Sequence, residues 1–393
     1  MGVILRSKIL FELPGIDYNH LLKVHSNFAF EGWVSLALMI LLVYGLLSDS
    51  QKNKMVYKFV FIGTFATAWA LIFTFALGKV ADFTSYILTV FIFISYVFSW
   101  VFIKDIRKTE VNRTVKLLSI SAIICAVLSS GGPFFLTYLF ATKSLNAVLY
   151  RDTLFSYLHL QYNGFFTLSV LALLFNKVQS KLSERTNRDI HRFAVLIASS
   201  ILPSMFISYD WAGPNTIIHA IAYIGSILSL LSLGLFIPIF GQMKKLFREI
   251  HPLLRFIWMV SIASFMAKMF FQSFTIINFI GNPIFGDRPI IMGFLHLVFL
   301  GFVTLFLLYY IGQEGILNIK KSITKIALLI FTIGIIVNIA LLLTQGLGDI
   351  LIKSSPLFPL LLWGAGLWLF AGAVLICIAR IKSWANSVDD SAV

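Results

Sequence analysis

The sequence predicts an all-α integral membrane protein, a polytopic bundle of about eleven transmembrane helices. Hydrophobic residues make up 59% of the 393 residues and charged residues 12%, and the mean hydropathy is +0.91. The apolar runs reach the length of about 20 residues that an α-helix needs to cross a bilayer. They are continuous rather than alternating, which favours helices over a β-barrel, because every backbone polar group within lipid must be paired inside the structure.

The apolar runs divide the chain into three regions. Residues 1–24 form a leader expected at the outer face, residues 25–382 a single transmembrane helical domain, and residues 383–393 a cytoplasmic tail. The predicted helices occupy residues 27–48, 56–78, 84–104, 115–142, 153–176, 191–211, 215–240, 254–280, 290–312, 325–346 and 357–380.

The net charge of +14 indicates membrane orientation rather than nucleic-acid binding. Of the 31 lysines and arginines, 22 lie at the C-terminus or around the loops that follow the odd-numbered helices. The N-terminus and the loops after the even-numbered helices hold 8. Because cytoplasmic loops carry the excess of lysine and arginine, we expect an outer N-terminus and a cytoplasmic C-terminus in a multi-pass protein whose main partner is the bilayer.

One short segment recurs along the chain. Residues 157–165 read YLHLQYNGF, residues 294–302 read FLHLVFLGF 137 residues later, and a fainter copy, NFAFEGW, begins at Asn27, 132 residues before His159. In two copies a histidine leads, with an aromatic residue three positions later and a glycine five positions later. Asn27 takes the place of the histidine in the first copy, where His25 lies two residues earlier. The pattern predicts three diverged units that begin near residues 25, 153 and 290.

Four of the 7 histidines lie at a similar predicted depth, on helices that run inward from the outer face: His25, His159, His219 and His296. Neutral imidazole is a common ligand of transition metals and of haem iron, so this layer predicts a metal or haem site. The alternative for any single one is an interhelical hydrogen-bonding residue. Tyr162 and Asn163 share a helix face with His159, and together with Asn27 they are candidates for orienting the ligands.

These histidine segments resemble subunit I of the haem-copper oxidases and its NnrS-like relatives. The three copies lie on the first, fifth and ninth helices, and a spacing of four helices is similar to the family's pseudo-threefold body of four-helix arcs. The resemblance places them at the second, sixth and tenth of the family's usual twelve helices, which carry haem and copper ligands. The segment from His25 to Trp33 also resembles an uncharacterised group of bacterial membrane proteins, which implies a bacterial inner membrane.

The resemblance implies roles for single residues. His25 matches an axial ligand of a low-spin haem, His296 a haem ligand, and His159 a copper ligand. Arg151 and Arg288, at the outer ends of the fifth and ninth helices, become candidates for binding haem propionates. The family's pair of copper histidines on the seventh helix has no counterpart, because the sixth helix here ends in Ser208-Tyr-Asp-Trp.

The implied function is electron transfer or the handling of diatomic gases, O2 or NO. The implied cofactors are haem and, as a further option, copper, and the implied partners are other respiratory-type membrane subunits or a cytochrome donor. Because the catalytic histidine set is incomplete, the sequence leaves open whether the protein is an enzyme. If it is one, it is an oxidoreductase of the haem-copper oxidase type.

Two further features keep alternatives open. Glu31 and Lys268 lie within predicted helices, and we expect them to approach each other. The alternative is that Glu31 is protonated and that Lys268 snorkels to the membrane surface. The run Gly131-Gly132-Pro133 interrupts the fourth helix, which favours a kink for packing or a broken helix of the kind that lines transporter sites. A secondary transporter and a scaffold of the same fold without cofactors are therefore the alternative functions.

Overall fold

A computed structural model describes residues 1–76, 81–209, 216–277, 287–350 and 355–389. Within these ranges eleven helices are long and apolar enough to cross a membrane, which confirms the predicted all-α polytopic fold. The predicted helix ends at residues 78, 211, 215 and 280 and the last four residues of the predicted tail lie outside the described ranges. The helices are α1 (Tyr18–Leu46), α2 (Met55–Ala76), α3 (Ala81–Lys108), α4 (Arg113–Ala141), α5 (Ala147–Lys181), α6 (Glu184–Met205), α7 (Thr216–Leu246), α8 (Pro252–Phe274), α9 (Arg288–Gln313), α10 (Ser322–Ile350) and α11 (Leu357–Asp389).

The first helix begins at Tyr18, nine residues before the predicted start. Asp17 caps it, since its Oδ1 accepts a hydrogen bond of 2.6 Å from the backbone N–H of His20. His20 and Lys23 lower the local hydropathy, so the apolar run used for the prediction begins only after this helix has started. Residues 18–24 are therefore helical, and a separate short helix, Gly2–Leu10, precedes them. At the other end, α11 continues into the segment predicted as a tail.

The chain forms two compact units. The first consists of residues 1–25, 247–268 and 281–393. In it the N-terminal helix packs along α11, where the Trp363 indole donates a 2.9 Å hydrogen bond to Ser7 Oγ and stands edge-on to Phe11. Gly372 allows α11 to approach the backbone of α10 at Phe331, because a Cβ atom there would lie 2.9 Å from the Phe331 Cα.

The second unit consists of residues 26–246 and 269–280. Its α6 and α7 pack closely because Gly225 lies directly on the backbone of Pro203 and Ser204, where a side chain would overlap with it. At the junction of α2 and α3 the buried Asp105 accepts hydrogen bonds from Lys54 Nζ, at 2.5 Å, and from the Tyr57 hydroxyl, at 2.9 Å. A buried carboxylate that is paired in this way holds the two helix ends together.

Three helices contain a π-helical segment at corresponding positions. The segments are Phe28–Ser35 in α1, Leu160–Phe166 in α5 and Leu297–Thr304 in α9. Their first residues are 132 and 137 positions apart, the same spacing as the repeated sequence. Each segment begins directly after the aligned residue of the repeat, Asn27, His159 or His296. π-Helical turns are rare and occur frequently at functional sites.

The repeated glycine lies within each π-helical segment and contacts a neighbouring helix of its own unit. At each of these positions a Cβ atom would be closer than real Cβ contacts allow. The atoms it would meet are Ala68 Cβ at 2.7 Å for Gly32, Cys125 for Gly164, and Ser264 Oγ at 2.8 Å for Gly301. Close helix approach therefore explains why glycine recurs in this pattern.

The fourth helix is interrupted as the sequence suggested. Its halves are Arg113–Ser129 and Gly131–Ala141, and Ser130 forms a turn between them. Gly132 in the second half packs on α5, where a Cβ atom would lie 2.5 Å from the Cβ of Tyr157. The interruption thus brings the second half of α4 against α5.

Candidate functional site

The first unit brings together two of the four predicted histidines, His25 and His296. His296 ends the first α-helical stretch of α9, and its Nδ1 is 2.6 Å from the backbone carbonyl of Met292. A carbonyl only accepts hydrogen bonds, so Nδ1 must carry the proton and Nε2 keeps its lone pair. A ring oriented by a backbone carbonyl, with the opposite nitrogen available, is the usual arrangement of a metal-ligating histidine.

His25 lies within electrostatic range of His296 and of Arg6. The N-terminal helix reaches its imidazole, since a Cβ atom on Gly2 would be 3.6 Å from Cε1 of His25. Both imidazoles are half-buried. The site thus consists of two imidazoles within electrostatic range of each other, with His25 against the N-terminal helix.

Two arginines give the site a cationic side. Arg288 starts α9, which Asp287 caps by accepting a 2.8 Å hydrogen bond from the Ile290 N–H. The Arg288 guanidinium donates a 3.3 Å hydrogen bond to the Tyr18 hydroxyl and lies 5.6 Å from the centre of its ring. Burial lowers the pKa of Arg6 below its usual value, and the nearby Tyr18 opposes that shift. Because arginine stays charged in proteins, two positive charges share Tyr18 as a neighbour.

Sequence reasoning identified Arg288 and missed Arg6. Arg6 lies in the short N-terminal helix, which the prediction treated as part of a polar leader. Its proximity to His25 depends on how this helix packs against the rest of the first unit. The only sequence signal was a basic residue on a short helix-forming stretch before the first membrane span.

In the second unit, both ring nitrogens of His159 form hydrogen bonds, and the one at Nε2 connects α5 to α6. Nε2 is 2.9 Å from the backbone carbonyl of Ile201 and 3.2 Å from Ser204 Oγ, and Nδ1 is 3.0 Å from Asn163 Nδ2. The Ile201 carbonyl requires a proton on Nε2, so Nδ1 accepts from the Asn163 amide. In this arrangement neither nitrogen offers a lone pair to a metal, and His159 has the interhelical role that was the alternative interpretation.

The remaining predicted residues form local contacts. Tyr162 lies 6.0 Å from the His159 ring, measured between ring centres. The half-buried His219 stands edge-on to Tyr223 on α7, with ring centres 4.4 Å apart. Arg151 forms an ion pair of 3.0 Å with the adjacent Asp152. Asn27 is half-buried and directly precedes the π-helical segment of α1.

No group of three or more histidine, cysteine, aspartate or glutamate side chains in the described ranges could hold a metal ion. The donor set of a copper centre therefore does not fit the residues described. A haem needs only one or two axial imidazoles, and the pair of His25 and His296 fits that requirement.

The two buried charges belong to different units. Glu31, with 6% of its surface exposed, lies in the second unit, and Lys268, with 0% exposed, lies in the first. Lys268 Nζ is 5.9 Å from the ring centre of Phe265. The pairing of Glu31 with Lys268 stays a prediction.

Comparisons with known proteins support the fold. No protein-family model matches the chain, and no curated protein matches it. A solved structure, a haem-copper terminal oxidase dimer determined by cryo-electron microscopy, is similar in fold with a TM-score of 0.66 and 13% sequence identity. The similarity covers 97% of this chain and 79% of the oxidase chain. The chain is thus a multi-pass membrane protein with a fold like that of the haem-copper oxidases.

Proposed function

We propose that this protein binds haem through His25 and His296 and takes part in electron transfer or in the handling of O2 or NO. The observation that carries the proposal is the pair itself. Two half-buried imidazoles lie within electrostatic range of each other, and a backbone carbonyl leaves Nε2 of His296 with its lone pair. The similarity in fold to an oxidase supports the same conclusion.

The surroundings of the pair fit a haem. Arg288 and Arg6 would bind its propionates, since guanidinium groups form strong charge-assisted hydrogen bonds with carboxylates. Arg151 is a weaker candidate, because Asp152 already pairs with it. When bound, haem supplies reversible one-electron transfer. The Met292 carbonyl holds the orientation of His296 and makes Nε2 a stronger donor.

The proposal does not include copper or a catalytic centre for oxygen reduction. His159 would have to give up a hydrogen bond to the Ile201 carbonyl or to Asn163 before it could bind copper. The family's additional copper histidines have no counterpart in this sequence. We therefore assign the protein to haem-based electron transfer or gas binding, with partners drawn from respiratory-type membrane subunits or a cytochrome donor.

We further propose that the protein lies in a bacterial inner membrane with its N-terminus outside. The one-sided distribution of lysine and arginine supports this orientation. The site would then lie near the outer face, because His25 and His296 occur early in helices that enter the membrane from that side.

The test is the absorption spectrum of the full-length protein, purified from haem-supplemented cells and measured before and after incubation with haemin. We expect an intense Soret band that is strongly reduced in His25→Ala and in His296→Ala. His219→Ala is the matched control, because its ring packs against Tyr223 in the second unit and should leave the band unchanged.

A folded protein that shows no Soret band and no bound metal after haemin treatment would overturn haem binding. That result would leave the scaffold without cofactors and the transporter as the remaining functions. Uptake by proteoliposomes that is lost on changes at Gly132 or Pro133, next to the interruption in α4, would then favour transport.

A further inference from the structure

Glu31, a buried carboxyl group of the second unit, has no role in the proposed haem site. Glu31 lies in the π-helical segment of α1 with 6% of its surface exposed. Its Oε2 atom has no hydrogen-bond partner among the described residues. An ionised carboxylate that is buried without a counter-ion is very costly in a membrane, so such a group is normally neutralised by a proton.

Tyr157 of α5 is the polar neighbour of Glu31. Phe30, adjacent to Glu31, stacks on the Tyr157 ring with ring centres 6.2 Å apart, which brings this part of α1 against Tyr157. The carboxyl of Glu31 and the phenol of Tyr157 are within electrostatic range of each other. Glu31 and Tyr157 are therefore two acidic groups on helices α1 and α5, which pack together in the second unit.

The interrupted helix α4 extends this polar region. Gly132 lies against Tyr157. One turn further along α5, the Gln161 amide donates a 2.8 Å hydrogen bond to Ser129 Oγ, just before the interruption. The Oε1 atom of Gln161 is buried and, within the described ranges, has no hydrogen-bond partner. Glu31, close to Tyr157, and Gln161, one turn after it on α5, thus each hold a buried acceptor oxygen.

We propose that Glu31 is a proton-binding site within the membrane, and that Tyr157 and Gln161 form the polar route by which its proton exchanges. An O–H bond forms at the carboxylate when hydronium gives up a proton. The same bond breaks when water takes that proton back. The ligand is thus a single proton, and binding converts a negative charge inside the second unit into a neutral acid.

Few other groups of the second unit titrate near Glu31. On α5 the relevant group is Tyr157. On α2, the residue that faces this part of α1 is Ala68, which lies opposite Gly32. The titratable Tyr57 of α2 donates a hydrogen bond to Asp105 at the junction of α2 and α3. On α4 the stretch Ser129–Pro133 contains no titratable residue. On α3 the Tyr96 hydroxyl shares a 2.5 Å hydrogen bond with the Ser130 hydroxyl.

The first test is labelling of the full-length protein in lipid nanodiscs with dicyclohexylcarbodiimide, an apolar reagent that reacts with protonated carboxyl groups in membranes. Peptide mass spectrometry should find the adduct on Glu31 at about pH 7, where ordinary carboxyl groups are ionised. Asp105 is the internal control, because it is equally buried but paired with Lys54 and Tyr57, and it should stay unlabelled.

The second test follows the infrared carbonyl band of the protonated acid. The band should be absent in Glu31→Gln, and its shift in heavy water should be several-fold slower in Gln161→Leu than in the unchanged protein. If the Glu31 peptide is detected without the adduct at every pH, the proton site is overturned. This labelling test uses the unchanged protein, so it does not depend on the folding of a variant. An exchange rate that Gln161→Leu leaves unchanged would overturn the route.

Discussion

At the scale of single residues, the histidines divide into two kinds by what their ring nitrogens contact. His296 donates from one nitrogen to a backbone carbonyl, and His159 uses both nitrogens for protein hydrogen bonds. The two residues occupy the same position in the repeated sequence, and both were predicted as ligands, His296 of haem and His159 of copper. A tertiary neighbour, the Ile201 carbonyl, and the local amide of Asn163 distinguish them.

This difference makes a prediction for His159. His159→Ala would leave the Asn163 amide without its acceptor and remove the link to α6, so we expect a loss of stability of about 1–3 kcal/mol. Thermal unfolding in detergent, followed by intrinsic fluorescence, would measure it, while the Soret band of the haem-loaded protein should persist. His219→Ala serves as a comparison of equal size change at a half-buried site. Loss of the Soret band with unchanged stability would instead make His159 a ligand.

The sequence predicted part of the candidate site for a definite reason. His25 and His296 stand out because histidine is rare in the chain, and because His296 lies at the repeated position and His25 two residues before it in the first copy. Arg6 and the Met292 carbonyl could not be found in this way, since one acts through the packing of a separate helix and the other through its backbone. Residue type carries no information about either contact.

At the scale of elements, the eleven membrane helices were predictable because long apolar runs have few other solutions in lipid. The start of α1 was predicted nine residues late, because the capping residue Asp17 precedes a polar first turn. The π-helical segments gave no signal that hydropathy detects. They coincide with glycines that contact other helices, so their position depends on packing as well as on local preference.

The interruption of α4 allows a matched test on adjacent glycines. A Cβ atom on Gly132 would collide with Tyr157, whereas one on Gly131 would meet nothing within 4 Å. Gly132→Ala should therefore destabilise the protein by about 1–3 kcal/mol through overpacking, and Gly131→Ala should be neutral or slightly stabilising. Thermal unfolding of both variants in the same detergent measures the difference. Equal stability of the two would show that α4 and α5 do not pack at Gly132.

At the scale of the whole molecule, the charge distribution predicts the topology. Reporter fusions test it: a fluorescent protein fused after residue 393 should fluoresce, and alkaline phosphatase at the same site should be inactive, because both report a cytoplasmic C-terminus. The reverse pattern would place the candidate haem site on the cytoplasmic side. A fusion between α5 and α6, just before the arginine-rich first turns of α6, provides an independent check on the same side.

The fold extends over nearly the whole chain although sequence identity to the oxidase structure is 13%. Apolar packing between helices tolerates many substitutions as long as length and volume are kept. Ligand positions tolerate few, because each requires a particular side chain. The fold can therefore persist between chains whose side chains at such positions differ.

The three π-helical segments have a consequence for how one-residue changes in length can be tolerated. A π-helical turn holds one residue more than the α-helical turn it replaces, because its hydrogen bonds span five residues instead of four. Removing one residue from such a segment would return it to α-geometry, and the helix on either side would keep nearly the same face toward its neighbours. Insertions and deletions of one residue at these segments would thus re-aim only the side chains inside the segment, such as Glu31 in α1, and leave both flanking parts of the helix in place.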